Sequence, residues 1–573
     1  MASSIFSSIF TSISALVARS PSVLGSRCVS STTNSSSQST ASSSSSSSSC
    51  CSLLLPCSSS SSSSSLDTFA SPPLPRHSRP PPLPRGIPRP PHVPHCPRRT
   101  APAPAPAPPR LPPTARHHHR VQAPAAAPGH VPLPHPHRRS ALNKDYDVII
   151  LGTGLKECVL GSLLASLGKK VLHVDRSARH GGESASLSPL DIAYRYFDVP
   201  GSPPATMGCG HAWKLDLLPK FLMAGGQLMK ILTRLDALRF LDLRVVDASF
   251  LYKSGRIHKV PATESEVLTS GLMGLFEKRR FRKFFLYALN FDQQDPRTHE
   301  GVDPLKTTVR DLFGVFDFGH DIRAFAGHVL ALSRTNSYLD HPCLETLAKI
   351  QLYALSLAKN GRSPYLYPRW GIGELAQAFG RLTASRGGVF LMNTPVDDIL
   401  VRDGRVVGIR SKSQITGCSQ LICDPSYAPG LVRRVGQVIR AICILGHPVR
   451  NTDGAGSGLV IIPCTQTNRR SDIYVFLASS MHDVAPQGKY IAIVSTAVES
   501  TDPEREIQPA LELLEPIEQK FFFLSDLHMP NEPGTKSQIF VTTSYDATAN
   551  FESACHDIKE IYRKVTGSKL NLD

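Results

Sequence analysis

The sequence predicts a mixed α/β fold in which both ends of the folded part build one domain and a helical domain is inserted between them. Three observations predict this fold. A strand, a glycine turn and a helix follow one another soon after residue 144, helical periodicity dominates the middle, and short β-type runs fill the C-terminal part. We expect domain I to comprise residues 144–257 and 344–573, and domain II to comprise residues 258–343.

The folded part opens with the pattern of a strand–turn–helix–strand unit. Residues 148–151 are a continuous apolar run, which is typical of a strand buried on both faces. Residues 156–166 predict a helix with one apolar stripe, formed by Val159, Leu160, Leu163 and Leu164. A second strand is predicted at residues 171–174. This is the βαβ beginning of a dinucleotide-binding domain.

The middle of the chain, about residues 263–357, has a helical pattern. In EKRRFRKFFLYALNF the apolar residues recur with helical spacing, and Lys and Arg occupy the opposite face. The segments HDIRAFAGHVLALS and CLETLAKIQLYALSLAK predict two further helices. We therefore expect the inserted domain to be mostly helical.

The sequence after Val389 returns to a β pattern. Asp403-Gly404, between two alternating runs, predicts a hairpin turn. The runs LVIIP, DIYVFLASS, YIAIVSTAV and QIFVTTSY predict the strands of a mixed sheet, and residues 556–566 predict a final helix.

Residues 1–143 differ in composition from the rest of the chain. A serine tract leads into sequence rich in Pro, Arg and His, which buries too little apolar surface to offset the entropy of ordering. We expect disorder or polyproline II conformation there. The first thirty residues have the composition of an organelle transit peptide. Two alternatives are that this is ordinary low-complexity sequence and that the N-terminal extension is not expressed. The PxxP patterns could bind an SH3 domain, and the triplet His117-His118-His119 could bind a metal. The simpler explanation of both is the biased composition of this segment.

The net charge of +17 comes mostly from this N-terminal segment. Residues 1–143 contain 13 Arg, no Lys and one acidic residue, Asp67, so they carry +12 and the remainder carries only +5. This balance predicts no nucleic-acid binding by the folded part. The chain contains no run of about 18 apolar residues, so we expect no membrane span. The 13 cysteines include no CxxC pair, which favours reduced thiols in a cytosolic protein over a zinc or disulfide site.

The glycine turn matches a dinucleotide-binding fingerprint only in part. Gly152 and Gly154 fit GxGxxG, and Asp175 follows at the distance of a ribose-binding acid. The third glycine is replaced by Glu157, whose carboxylate would face the phosphate. Like charges about 4 Å apart repel by roughly 4 kcal/mol at an effective dielectric constant near 20, and Lys156 could screen part of this. We expect no cofactor, and a flavin-dependent oxidoreductase is the alternative.

No arrangement of nucleophiles, acids or bases accompanies this turn. His180, Cys158 and His211 are isolated polar residues whose spacing does not indicate catalysis. We expect structural roles for them and no enzymatic activity.

Long motifs resemble the Rab GDP-dissociation inhibitor family. The segment DYDVIILGTGLKECVLG, followed by KKVLHVDR and GGES, resembles the opening of these proteins, whose pattern also has Glu at the third-glycine position. Further matches run in order to the C-terminal end: LLPKFLMAGGQLMK, MGLFEKRRFRKF, EGVDP, YLDHPCLETLAKIQLY, SPYLYPRWGIGEL, VDDILV, LICDPSY, VAPQGKYIAI, ALELLEPI and SYDAT.

The resemblance implies a flavoprotein-like fold, of the FAD/NAD(P)-binding Rossmann type, that carries no flavin and performs no chemistry. It implies a monomeric cytosolic carrier that binds GDP-bound geranylgeranylated Rab GTPases, blocks GDP release and extracts them from membranes in vesicle-mediated transport. A lipid of about 20 carbons contributes on the order of 10 kcal/mol when buried, so a carrier needs an apolar slot. Our candidates are four residues of the helical middle, for which ordinary core packing is the alternative: Phe281, Phe284, Phe285 and Leu289.

The resemblance also implies a Rab-binding platform, carried over position by position. The family's acidic and basic residues match Glu374 in GIGEL and Arg381 in FGRL. Its mobile loop corresponds to residues 352–363, where an Arg position holds Lys359. The complete predicted platform is His180, Lys359, Tyr365, Glu374, Arg381, Val389 and Leu391.

Three departures from the family pattern predict weaker Rab binding with the fold retained. His180 replaces a Tyr, Val389 replaces a Thr, and Ala212 stands in GHAW where the family has the charged pair of GRDW. Loss of an interface Tyr or Arg typically costs roughly 1 to 4 kcal/mol. A Rab escort protein, an accessory to prenylation that shares several motifs, is the remaining alternative.

Overall fold

The computed structural model describes Leu142 and residues 144–572, apart from the side chain of Glu264. The serine tract, the PxxP patterns, the His117-His118-His119 triplet and the transit-peptide composition all lie outside the described residues. Among the helices of the described part, none combines the length and the apolar character needed to cross a membrane.

Within the described residues the strands are, in chain order, β1 (Tyr146–Leu151), β2 (Val171–Val174), β3 (Ser186–Leu187), β4 (Leu215–Asp216), β5 (Leu222–Met223), β6 (Leu243–Val245), β7 (Ala248–Lys253), β8 (Arg256–Lys259), β9 (Tyr365–Pro368), β10 (Val389–Leu391), β11 (Asp398–Arg402), β12 (Arg405–Ser411), β13 (Gln414–Cys423), β14 (Val432–Leu445), β15 (Gly458–Ile462), β16 (Ile473–Ser479), β17 (Tyr490–Ala497), β18 (Gln519–Pro530) and β19 (Ile539–Val541).

The α-helices of the same part are α1 (Leu155–Ser166), α2 (Leu190–Tyr196), α3 (Gln227–Arg234), α4 (Glu264–Thr269), α5 (Leu275–Asn290), α6 (Val309–Val315), α7 (His320–Ala324), α8 (Cys343–Asn360), α9 (Gly373–Ser385), α10 (Cys464–Thr467), α11 (Pro503–Glu506), α12 (Gln508–Leu514) and α13 (Glu552–Thr566). A π-helix, Phe325–Leu330, continues α7.

The first sheet contains the predicted βαβ unit. Its order is β10-β2-β1-β13-β12-β11, with β19 added beside β13, and the pairs among β10, β2, β1, β13 and β19 are parallel. Residues 148–151 of β1 are fully buried, as a central parallel strand requires. The hairpin predicted at Asp403-Gly404 is confirmed, and both turn residues have positive φ. The mixed α/β class is therefore confirmed.

Helix α1 is more deeply buried than its sequence predicts. Every residue from Leu155 to Ala165 is buried, including Lys156 and Glu157, so the expectation of a single apolar stripe is wrong. The reason is that α1 packs against β1 and β2 while α9 and α13 cover its other sides. Close packing is visible where a Cβ at Gly161 would collide with the ring of His173.

The second sheet is mostly antiparallel and has the order β18-β14-β17-β16-β15-β7-β8. Its one parallel pair joins β15 to β7, so residues on both sides of the helical middle enter the same sheet. Two smaller sheets have the orders β3-β4 and β5-β9-β6. Strands from both ends of the folded part thus share the two large sheets.

The helical middle is packed around aromatic rings. Phe284 of α5 is fully buried, and its ring centroid lies 5.5, 5.3 and 5.0 Å from those of Phe313, Phe316 and Phe318. The amide of Gln351 on α8 donates to the carbonyl of Ala288 at 2.9 Å, so α8 packs along α5 beyond residue 343. The domain boundaries at residues 258 and 343 stay a prediction.

The helix predicted for HDIRAFAGHVLALS changes to a π-helix halfway. A Cβ at Gly327 would overlap the hydroxyl of Tyr338, so the absence of a side chain lets this ring approach the backbone. The Tyr338 hydroxyl donates to the carbonyl of Arg323 at 3.0 Å. The wider turn is thus satisfied by a side chain from a neighbouring segment.

A buried pair joins the π-helix to the second sheet. Nδ1 of His328 donates to Oδ2 of Asp472 at 2.8 Å, and Oδ1 of Asp472 accepts from the Cys464 amide at 2.8 Å. Burial opposes the charged ring, but Asp472 together with Asn336 and the Ser333 carbonyl outweighs this effect, so the pKa of His328 is raised. The helical middle is therefore attached to the sheet by a charge-assisted hydrogen bond without solvent screening.

We predict that Asp472→Ala destabilises the fold by about 3–5 kcal/mol, because it leaves His328 buried without its counter-charge and the Cys464 amide without its acceptor. The measurement is the unfolding temperature by calorimetry. The matched control is Asp340→Ala, which removes an exposed pair with Arg310 and is expected to change stability by less than about 1 kcal/mol. Equal shifts for the two variants would contradict the anchoring role.

Candidate functional site

The first candidate site is the glycine turn between β1 and α1. In a dinucleotide-binding domain the amides of the first helical turn donate to phosphate. Here the amide of Leu155 donates to Oγ of Ser184 at 2.9 Å, and the amide of Lys156 donates to the Tyr545 hydroxyl at 3.2 Å. The amide of Glu157 donates to its own carboxylate. The three amides that would bind phosphate are all satisfied by the protein itself.

The carboxylate of Asp175 is occupied in the same way. Thr153 donates its hydroxyl to Oδ2 of Asp175 at 2.6 Å, and Tyr427 donates its hydroxyl to Oδ1 at 3.1 Å. The amide of Ser177 also donates to Oδ1, at 2.8 Å. The residue at the ribose-binding position therefore holds its own loop together.

Glu157 lies across the turn, in the space that a pyrophosphate would need. Its side chain covers Gly154, and its Oε1 accepts from the hydroxyl of Thr542 at 2.8 Å. Burial and then the charge of Asp424 raise the pKa of Glu157 to about 7. Lys156 opposes this shift only in part, as the sequence predicts, and its Nζ pairs with Asp557 at 2.9 Å.

A cavity of about 340 Å³ lies beside the turn, but its lining does not suit a dinucleotide. Four carboxylates line it, with Arg176 and Arg179 as the basic residues: Glu157, Asp175, Glu183 and Asp424. A pyrophosphate placed there would face four carboxylates and two cations, and the first three amides of α1 are already bonded within the protein. These residues do not fit a flavin or nicotinamide dinucleotide, and we derive no chemistry through one.

The described residues contain one buried group of metal-ligand types, formed by His328, Cys464 and Asp472. Both Asp472 oxygens already accept hydrogen bonds within the protein. Burial raises the pKa of the Cys464 thiol to about 12, so the thiolate that a metal prefers is disfavoured. The group is a structural connection.

The predicted platform residues do not all lie together. Helix α9 carries Glu374 in its first turn and Arg381 two turns later, and both are half-buried. The pKa of His180 is lowered to about 4, first by burial and then by the charge of Arg381, and its ring lies against Gly380, the residue before Arg381. The ring of His180 also packs on Phe390 of β10, with centroids 5.9 Å apart. His180, Arg381 and strand β10 thus form one patch.

Position 180 is closely packed against α9. Nε2 of His180 would be 3.1 Å from a Cβ at Gly380, and it lies 3.6 Å from Sγ of Cys158. Burial and nearby carboxylates raise the pKa of the Cys158 thiol well above its usual value, so this contact is not an activated nucleophile.

The remaining platform residues differ in exposure. Val389 is half-buried beside the patch, whereas Leu391 is 4% exposed and belongs to the core. Lys359 is exposed near the end of α8. Tyr365 is fully buried in β9, with its ring centroid 5.7 Å from that of Phe221. A contact surface cannot use a fully buried ring, so we leave Tyr365 out of the proposed surface and assign it to the core.

The GHAW segment has one buried anchor. Trp213 is fully buried and its Nε1 donates to the carbonyl of Met207 at 3.0 Å. His211 is exposed, and its carbonyl accepts from Nζ of Lys214 at 2.7 Å. These two hydrogen bonds fix the conformation of the segment.

An apolar cavity of about 90 Å³ lies between the segment 261–273 and helices α5 and α8. Of the predicted lipid-binding residues, Phe281 and Phe285 line it, whereas Phe284 and Leu289 are packed in the core outside its lining. The prediction missed the other lining residues, of which seven have large apolar side chains: Val267, Leu272, Met273, Phe325, Leu330, Tyr353 and Leu357. The i, i+4 spacing of Tyr353 and Leu357 on α8 was the available signal.

We predict that Glu157→Gln removes a pH dependence of stability. The raised pKa of Glu157 means that the folded state holds a proton which the unfolded state releases above its ordinary pKa, so wild-type stability falls as pH rises from about 4.5 to about 7. The loss is on the order of 3 kcal/mol. The measurement is the difference in unfolding temperature between variant and wild type at several pH values. The exposed carboxylate variant Glu512→Gln is the control, and a pH-independent difference for Glu157→Gln would refute the assignment.

This chain was compared with known families, sequences and structures. The sequence model of the family described as GDP dissociation inhibitor matches residues 142–573. The chain is 57% identical over 432 residues to Rab GDP dissociation inhibitor beta of Rattus norvegicus and to that of Canis lupus familiaris, which covers 75% of this chain and 97% of each relative. The crystal structure of the Rab GDI of Plasmodium falciparum is similar with a TM-score of 0.71 at 41% identity, over 75% of this chain and 100% of that one.

The relatives are named for inhibiting GDP dissociation and not for a catalysed reaction, which agrees with the expectation of a non-enzymatic protein. The resemblance predicted from the sequence is confirmed, and the chain belongs to the GDP dissociation inhibitor family.

Proposed function

We propose that this protein is a Rab GDP dissociation inhibitor. It binds GDP-bound geranylgeranylated Rab GTPases, slows their GDP release, and carries them between membranes through the cytosol as a monomer that contacts membranes transiently. The observation that carries the proposal is the 57% identity to Rab GDP dissociation inhibitor beta across nearly the whole of that relative. The apolar cavity and the patch around Arg381 support it.

The cavity of the helical middle suits one end of an isoprenoid. It is lined almost entirely by apolar side chains, among them Phe281, Phe285 and Met273. A cavity of about 150 Å³ holds a benzene ring, so a space of about 90 Å³ must widen to accept a chain of about 20 carbons. Met273 is half-buried at the edge and has a flexible side chain, which lowers the free energy needed for that widening.

The patch formed by His180, Arg381 and Val389 is the proposed contact for the GTPase domain. Arg381 lies on a rigid helix and offers a planar guanidinium, the type of side chain that dominates protein interfaces. His180 is largely neutral at pH 7 because its pKa is lowered to about 4, so it contributes ring area and no charge. We expect a smaller contribution from position 180 than a Tyr would make.

The direct test is extraction of geranylgeranylated Rabs from liposomes by the full-length protein. We expect GDP-loaded Rabs to appear in the soluble fraction and GTP-loaded Rabs to stay on the membrane. Binding to the geranylgeranyl transferase, without extraction of GDP-loaded Rabs, would instead favour a Rab escort protein.

We predict that Phe281→Asp abolishes the preference for prenylated over unprenylated Rab. An ionised carboxylate in an apolar slot is strongly unfavourable, so affinity for the prenylated form falls by at least about tenfold while binding of the GTPase domain is retained. Titration of GDP-loaded Rab with and without the lipid measures both affinities. Leu305→Asp is the control, because Leu305 is 64% exposed and does not line the cavity. If both variants behave alike, the lipid binds elsewhere.

We predict that Arg381→Glu weakens binding of prenylated and unprenylated GDP-loaded Rab alike, by roughly tenfold or more. The expected cause is loss of the guanidinium from the contact patch. The rate of GDP release from Rab, measured against inhibitor concentration, gives the affinity. Arg386→Glu, at the exposed end of the same helix, serves as the control. Unchanged inhibition by Arg381→Glu would rule out this patch.

A further inference from the structure

Two large apolar side chains point into solvent beside the apolar cavity. Leu275 and Phe276, the first two residues of α5, are 78% and 77% exposed. Leu268, at the end of α4, is a third exposed apolar residue of the same connection. Large aliphatic and aromatic residues that stay exposed in pairs commonly mark a contact surface.

Local hydrogen bonds hold this connection in shape. Oε2 of Glu277 accepts from the amide of Gly274 at 2.8 Å and so closes the first turn of α5. Nζ of Lys278 donates to the carbonyl of Leu268 at 2.9 Å, which ties the end of α4 to α5. The exposure of Leu275 and Phe276 is therefore set by an ordered turn.

The same face of α5 is cationic. Helical spacing places Leu275 and Phe276 on one side with Arg279, Arg280 and Lys283, all of them exposed. Between residues 275 and 283 there are five cationic side chains and one carboxylate. Of the cations on the face, Arg280 pairs with Asp317 at 2.7 Å, and Lys283 lies 5.7 Å from the ring of Phe316.

The face adjoins the mouth of the cavity. Lys278, Met273 and Val267 are half-buried lining residues, so the cavity reaches the surface at the α4–α5 connection. An isoprenoid that enters from a bilayer at this point passes from lipid to protein without crossing water. Leu and Phe beside Lys and Arg are the combination that binds the interface of an anionic membrane.

We propose that Leu275, Phe276 and the cationic face of α5 form a docking surface for an anionic lipid bilayer, with the two apolar side chains inserted among the lipids. This inference rests on the proposed function, because it supplies the route by which a prenyl chain reaches the cavity. Charge complementarity and continuity with the cavity mouth select a membrane over a protein partner.

Phe276→Trp in the full-length protein tests the insertion directly. The probe is a vesicle of phosphatidylcholine and phosphatidylserine with brominated acyl chains, which quench tryptophan that enters the lipid. We expect quenching beyond that of the native Trp213 and Trp370, and loss of it when salt shortens the screening length from about 10 Å to about 3 Å. The control is Ile415→Trp, a position 60% exposed in β13 of the first sheet.

This design separates the surface from the basic residues 1–143, which are present in every variant. Vesicle binding without quenching at position 276, or equal quenching at positions 276 and 415, would overturn the proposal. Protection of position 276 by a GTPase but not by vesicles would also overturn it and would indicate a protein contact.

A second variant separates this proposal from the proposed function. Leu275→Ser combined with Phe276→Ser should slow extraction of prenylated Rab from anionic vesicles roughly tenfold, because two apolar anchors are lost. Its affinity for prenylated Rab already in solution should not change. If the wild type extracts no Rab, the proposed function fails while the quenching result still decides the docking surface. Unchanged extraction by the double variant would refute the docking role.

Discussion

The amides of the first turn of α1 need hydrogen-bond acceptors, and here these acceptors come from the protein and not from a phosphate. The residues that supply them connect the first sheet to distant parts of the chain. Ser184 and Tyr545 accept from the first two amides, and Glu157 turns back onto its own. Because Tyr545 comes from the far end of the chain, the N-terminal βαβ unit is connected to the C-terminal segment wherever this turn is formed. The buried pair of Lys156 with Asp557 strengthens the same connection.

Burial of Glu157 has a second consequence, which is functional. A flavoprotein-like fold places a cofactor where the first helix begins, and here that space belongs to a carboxylate whose pKa is raised to about 7. The helix N-terminus favours negative charge, whereas desolvation opposes it, and the raised pKa shows that desolvation dominates. The fold has therefore kept the geometry of a dinucleotide site while its polar groups serve the stability of the protein itself.

The helical middle depends on different physics. Its interior is aromatic, with Phe284 among three other rings, and its attachment to the second sheet relies on His328 and Asp472. Next to this rigid interior lies a cavity whose edge is made of half-buried residues such as Met273 and Phe281. A firm attachment beside a deformable edge lets the cavity of the helical middle change shape while the sheets stay in place.

Local pattern and composition were sufficient to determine the βαβ opening, the Asp403-Gly404 hairpin, the helical middle and the loss of the third glycine. Each of these depends on residues close in sequence. Tertiary structure alone decided that Nζ of Lys156 pairs with Asp557, that α1 is buried on all sides, and that Tyr365 belongs to the core. It also decided which of the four predicted lipid-binding residues line the cavity, because periodicity identifies the apolar face of a helix but not the neighbour that this face meets. Contacts between residues hundreds of positions apart set burial and charge pairing, and no local pattern in the sequence encodes them.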